Sequence, residues 1–212
     1  MQEQIEKEKA DGAYDKIGYD EADFRINGEK LIDFYGFGFR EHDFSSYTIR
    51  VKIDKLVVPN GIKTVFLEAL MQDYDEYDCT ELGSIVLPES VEVIEAHAFW
   101  GSSAHEILLP KTLKRIDEGA FDDCDLLTSL RVSDGITRIP DKMLCDCTRL
   151  ARVTLPKSVE EIGKDAFLGC ESLEEILFEG TRGEWVKIKK TNAKIPKSVK
   201  VRFGQWKENK QG

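Results

Sequence analysis

The chain has 212 residues, 41% of them hydrophobic and 33% charged, and 30 Lys and Arg against 40 Asp and Glu give a formal charge of −10. This apolar content excludes disorder throughout, and no apolar run approaches the roughly 20 residues of a membrane-spanning helix. The acidic balance argues against a nucleic-acid partner, which asks for a Lys/Arg stripe over the phosphates.

Residues 1–23 hold eight acids and three bases, with Ile5 and Ile17 the only long aliphatics beyond Met1. That is too few for an apolar stripe, so the segment reads as a solvated, frayed helical arm. Its start lacks the apolar core of a signal peptide. From Phe24 the texture changes to alternation (Phe24, Ile26, Leu31, Ile32, Phe34), with Asn27-Gly28 as a hairpin-type turn. Residues 24–52 are therefore expected to form a β cap.

A repeat occupies most of the remaining chain. Leu87-Pro-Glu-Ser-Val-Glu-Val-Ile94 recurs as Leu109 to Ile116, Val132 to Ile139 and Leu155 to Ile162. The slot of Pro88 falls next at Pro110, Ser133, Pro156 and Glu179, in steps of 22, 23, 23 and 23. Ala98-Phe99, Ala120-Phe121, Met143-Leu144 and Ala166-Phe167 form a second column, and Cys79, Ser102, Cys124, Cys147 and Cys170 a third. A unit of about 23 residues cannot bury its own apolar face, so it must stack on its copies as a solenoid. Ile85 and Leu87 have the period of a strand, and Leu82, Val91, Ile94 and Phe99 are expected to point inward with them. Ala-Phe-x-x-Cys suits a short helical turn. Six residues are inserted in the first coil, within the acidic Met71 to Asp78 segment that carries Tyr74 and Tyr77. One is missing near Ser102, where Ala104 or His105 must take the Leu slot.

The thiols of Cys79, Cys124, Cys147 and Cys170 share a column and so read as reduced interior packing residues, stacked too far apart for disulfides. Cys145 lies in the column of Met71, Trp100, Asp122 and Leu168, expected nearer solvent. Cys145-Asp-Cys147 matches no zinc spacing. His97 and His105 flank the irregular coil without the further ligands a metal needs, and Gly36-Phe-Gly38 has nothing phosphate-like after it. No cofactor, metal or catalytic constellation is read from the residues.

The repeat resembles the BspA-type leucine-rich repeats over about Ile53 to Phe178, and Leu150 to Cys170 is close to that consensus. The resemblance implies a mainly β or α/β, right-handed leucine-rich-repeat solenoid of about five coils over 53–178. A parallel sheet would form one side and short helical turns the other, with a C-terminal closure over 179–212 in which Trp185 seals the last coil and a strand follows Ile195-Pro196. It also implies surface or secreted proteins of bacteria, used in adhesion and partner contact. Unpaired thiols and the missing signal peptide favour the cytoplasm instead.

Function on a solenoid belongs to outward positions of the sheet, where stacking makes columns from distant residues. One column reads Val57, Val86, Leu108, Arg131, Thr154, Leu177, and the one two positions earlier Ser84, Glu106, Ser129, Arg152, Glu175. An apolar patch bordered by Arg131 and Arg152, with Trp100, Tyr74 and Tyr77 as further anchors, fits a monomeric, non-catalytic protein-binding module. The alternatives are an architectural spacer or self-assembly module, in which exposed Val and Leu are only good strand formers, and an enzyme using Cys145 or His97 and His105.

Overall fold

A computed structural model describes residues 24–27, 30–34, 52–65 and 81–204. The expected arm over 1–23, the acidic insert with Tyr74 and Tyr77, and Cys79 lie outside the described residues.

The repeat folds as stacked coils, each contributing to three ladders. Long strands build the first: β3 (Lys52–Val57), β5 (Glu81–Val86), β7 (Ala104–Leu108), β9 (Ser129–Arg131), β11 (Arg152–Leu155), β13 (Glu175–Phe178) and β15 (Lys200–Phe203) form one seven-stranded sheet, all neighbours parallel. Two-residue strands build the second: β4 (Thr64–Val65), β6 (Val93–Ile94), β8 (Arg115–Ile116), β10 (Arg138–Ile139), β12 (Glu161–Ile162) and β14 (Lys189–Lys190). The hairpin of β1 (Phe24–Asn27) and β2 (Lys30–Phe34) is antiparallel, and β2 extends this second ladder by pairing with β4. Sequence reasoning expects only one sheet. The second arises because the Val/Ile column needs only two extended residues per coil to bond the next one.

Tight turns make the third ladder, in place of the expected helical turns. Trp100 and Ser102 donate their amides three residues back, to His97 and Phe99. Other amides of the turn cross to the next coil, as Phe99 N to Ala120 O (2.9 Å), Phe121 N to Met143 O (3.0 Å) and Leu144 N to Ala166 O (3.1 Å). Bonds between coils replace those a helix would make within itself. The path requires left-handed residues on both sides of the Ala-Phe pair. His97, Gly119, Lys142 and Asp165 have φ of 52–61°, and Gly101, Asp123, Asp146 and Gly169 have φ of 55–73°. Gly and Asp are the residues that tolerate this region most readily.

Every residue expected inside is there: Leu82, Ile85, Leu87, Val91, Ile94 and Phe99 are all buried. Val57 pairs with Val86 although 29 residues separate them, six more than the 23 between Thr154 and Leu177, so the insert leaves the sheet in register. Ala104, fully buried and paired with Leu82, takes the shortened coil's Leu slot. One coil later the pairing thins. Only Glu106 and Ser129 pair between β7 and β9, and the short-strand ladder breaks between β8 and β10.

The buried cysteines do more than fill space. Cys124 Sγ donates to Phe99 O (3.1 Å), Cys147 Sγ to Phe121 O (3.1 Å) and Cys170 Sγ to Leu144 O (3.0 Å), each thiol serving a carbonyl of the coil before. A hydroxyl column does the same after the proline slot: Thr112 Oγ1 reaches Glu89 O and Val91 O, and Ser158 Oγ reaches Asp134 O and Ile136 O.

The proline slot opens each turn, its carbonyl accepting from the residue three ahead, as at Pro88, Pro110, Ser133 and Pro156. Ser133 is the misfit. Its hydroxyl is the one buried side-chain polar atom without a partner among the described residues, and its N–H makes no backbone bond there. Ser133→Pro is therefore expected to stabilise the fold by about 0.4–1 kcal/mol, by restricting the unfolded chain and removing an unsatisfied buried group. A higher urea midpoint at unchanged slope checks this.

Beyond β13, α1 (Arg182–Lys187) is fixed by a capping box: Thr181 Oγ1 accepts from Glu184 N, and the Glu184 carboxylate accepts from Thr181 N. Trp185 packs on Phe178 with ring centroids 5.5 Å apart, and the Lys190 ammonium lies 4.4 Å from its ring centre. The strand expected after Pro196 is β15.

Candidate interaction surface

The outer face of the long-strand sheet divides into two halves of different chemistry. In the first, Val57, Val86 and Leu108 lie side by side on adjacent strands. Val57 is 44% and Leu108 43% exposed, with Val86 partly so. These strands stack at about 4.8 Å, so three branched side chains form a continuous apolar strip. Ser84 and Glu106 hold the neighbouring column.

Further along, the expected cationic border is not free. The Arg131 guanidinium bonds Asp134 at 2.9 Å and both carboxylate oxygens of Glu179 at 3.1 and 3.2 Å. Glu179 is two coils on, so Arg131 spans the coil between. Thr154, its strand neighbour there, is accordingly only 3% exposed despite its outward position. Arg152 pairs with Glu175 (3.4 Å), which also takes Arg202 (2.6 Å). The Pro slot explains the difference: Glu179 stands where Pro88, Pro110 and Pro156 stand in other coils, and it supplies the carboxylate that draws Arg131 down. Spacing places both residues, but not the reach of an arginine across two coils. Trp100 is exposed, but it sits on the turn ladder and not on the sheet face.

The turn ladder also gathers titratable groups. Asp122, Cys145 and Asp146 place three potential metal-ligand atoms within 4.8 Å of one another. Cys145, expected near solvent like its column mates Trp100 and Leu168, is instead only 5% exposed. Its Sγ lies 3.1 Å from Asp146 Oδ2. Burial first, then these carboxylates, push its pKa up, so the thiol stays protonated and is a poor nucleophile. His97 packs against Gly119 of the next coil, where a Cβ would meet its ring.

Burial raises the pKa of Asp122, opposed by the Cys145 hydrogen bond and by His97. A carboxyl with a folded pKa above its unfolded value destabilises the fold once pH rises past both, and has no effect below both. Asp122→Asn is expected to raise the melting temperature at pH 7 and leave it unchanged near pH 3, because the carboxyl is then as uncharged as the amide that replaces it. Thermal melts at the two pH values check this.

Residues 71–199 match the profile of the BspA type leucine rich repeat region in six copies. The chain is similar in structure to a leucine rich cell surface protein from Faecalibacterium prausnitzii (TM-score 0.59, 28% identity), over 66% of this chain and 36% of that one. It thus spans little more than a third of that protein. It is similar in fold to the leucine rich repeat protein of T. pallidum (TM-score 0.59, 24% identity, 89% and 86% of the two chains) and to one from Bacteroides ovatus (TM-score 0.51, 18% identity, 73% and 43%). No curated protein matches the chain significantly. With most of its length matched and the coils stacked as the repeat requires, the chain belongs to the BspA-type leucine-rich repeat family.

Proposed function

We propose that this repeat module is a non-catalytic protein-binding unit that docks its partner on the apolar strip of Val57, Val86 and Leu108. The observation that carries the reading is the register: three adjacent parallel strands present exposed apolar side chains in one line, while the other half of the face is occupied by intramolecular ion pairs. Exposed branched residues in line, bordered by polar ones, are the anatomy of a recognition patch. A protonated Cys145 held between carboxylates supports binding over cysteine chemistry. The kinship with a protein named as a cell surface protein supports a setting of adhesion or partner contact at a cell surface. In this reading Trp100, Tyr74 and Tyr77 are accessory anchors, and Arg131 and Arg152 shape the border of the strip without offering free charge.

The test is a Val86→Glu, Leu108→Glu double variant used beside the unaltered protein as bait on surface extracts, with the affinity of each retained protein then measured. Two centrally placed apolar contacts carry about 2 kcal/mol or more each at a hot spot, so binding is expected to fall at least a hundredfold with melting nearly unchanged. Arg131 stays intact in this variant, because Arg131→Glu would set a second carboxylate against Glu179 and uncover Thr154. Equal affinity of the double variant and the unaltered protein would reject the strip.

A further inference from the structure

Charge is unevenly placed along the chain. Residues 181–204 hold eight bases and one acid, a net +7, whereas residues 1–180 hold 20 bases and 38 acids, a net −18. The basic stretch comprises α1, β14, the segment leading to Pro196, and β15, the edge strand of the long-strand sheet. It forms the layer that closes this end of the stack.

Three of its cations are engaged. Lys189 pairs with Glu161 and Arg202 with Glu175. Lys190 donates to Trp185 O and Ile188 O at the end of α1. The other five, Arg182, Lys187, Lys194, Lys197 and Lys200, are exposed and form no ion pair with any described residue. In the same layer Val186, beside Lys187 on α1, is 73% exposed, and Phe203, beside Arg202, is also exposed.

We propose that this basic cap binds the surface of an anionic phospholipid bilayer. Free cations serve the headgroup layer, and exposed apolar side chains between them reach the acyl boundary. A soluble polyanion would use the cations and leave Val186 and Phe203 in water. The acidic remainder is repelled by the same surface within about a Debye length. The stack therefore stands on its end and leaves the sheet face free. This binding does not depend on the apolar strip.

The 212-residue chain is sedimented with phosphatidylcholine vesicles containing 30% phosphatidylglycerol and with pure phosphatidylcholine vesicles. Binding is expected only to the anionic vesicles and should be lost in 0.5 M salt. Each cation near such a surface multiplies partitioning about fivefold, so Lys187→Gln, Lys194→Gln and Lys197→Gln together should weaken it about a hundredfold. Val186→Ser should weaken it severalfold at unchanged charge and leave retention on heparin as it was. The idea is overturned by no binding to anionic vesicles, by salt-insensitive binding of the unaltered protein, by a triple variant that binds as well, or by retention on heparin without vesicle binding.

Discussion

Phe121→Ala is expected to cost about 3–5 kcal/mol, the range for emptying a buried aromatic site, and so a large part of the 5–15 kcal/mol that holds a typical domain. The ring is fully buried and stacks on Phe99 with centroids 5.1 Å apart and planes 25° from parallel. It stands mid-stack, where both neighbouring coils close over it, so collapse into the void would require two coils to shift. Phe121→Leu is the control. Leu144 occupies the same column in the next coil and is fully buried, so the column accepts leucine, and the cost should stay below about 1.5 kcal/mol. Urea unfolding of both variants checks the pair: a large midpoint shift for Ala, a small one for Leu, and one slope throughout. Similar losses from both would mean that ring stacking, and not volume, dominates at this position.

The same column shows why this fold is legible in its sequence. Each coil is solved by the one before it, so a residue type that recurs every 22 or 23 positions reports one environment sampled several times, and periodicity separates inside from outside without knowledge of the turns. Hence Leu82, Ile85, Leu87, Val91, Ile94 and Phe99 are all assigned inward correctly. What escapes is whatever belongs to a single coil or to backbone conformation. The left-handed positions are visible in part, as Gly101, Gly119, Gly169, Asp123, Asp146 and Asp165, but His97 and Lys142 adopt the same φ with no compositional signal. The second ladder is hidden because a two-residue strand leaves no alternation to read.

The candidate surface divides in the same way. Columns place Val57, Val86 and Leu108 side by side, and register confirms that alignment. Pairing of Arg131 with Glu179 depends on one non-repeating glutamate in the proline slot. Cys145 is a single thiol in a column otherwise held by Trp100, Asp122 and Leu168, and its burial beside Asp146 belongs to that one coil. Side-chain reach between coils is set by local chemistry, and a repeat average erases it.

Gly83→Ala is expected to detach the first described coil while the rest of the stack stays folded. Gly83 lies in β5 opposite Asp54 of β3, between the pairs Ile53 with Leu82 and Lys55 with Ser84. A Cβ built there collides with the Asp54 carbonyl oxygen and lies 3.0 Å from its carbonyl carbon. Backbone, unlike the end of a flexible side chain, cannot move aside without breaking the ladder bonds it makes. The overpacking cost is about 1–3 kcal/mol, and in a one-dimensional stack it falls on the nearest interface. Residues 52–65 then stay tied to the next coil through β4 with β6 and its flanking bonds to Lys63 O and Val65 O, the bond from Val58 N to Val86 O, and that from Gly61 N to Ser90 Oγ, without the long-strand ladder. Hydrogen exchange should show amides of 52–65 losing protection while those of 127–178 keep theirs. Because Val57 is one third of the apolar strip, partner affinity should fall as well, although Val86 and Leu108 are untouched. Full protection in 52–65 would mean that β3 relaxes past the new methyl, and that the close approach at Gly83 does not hold the first coil in place.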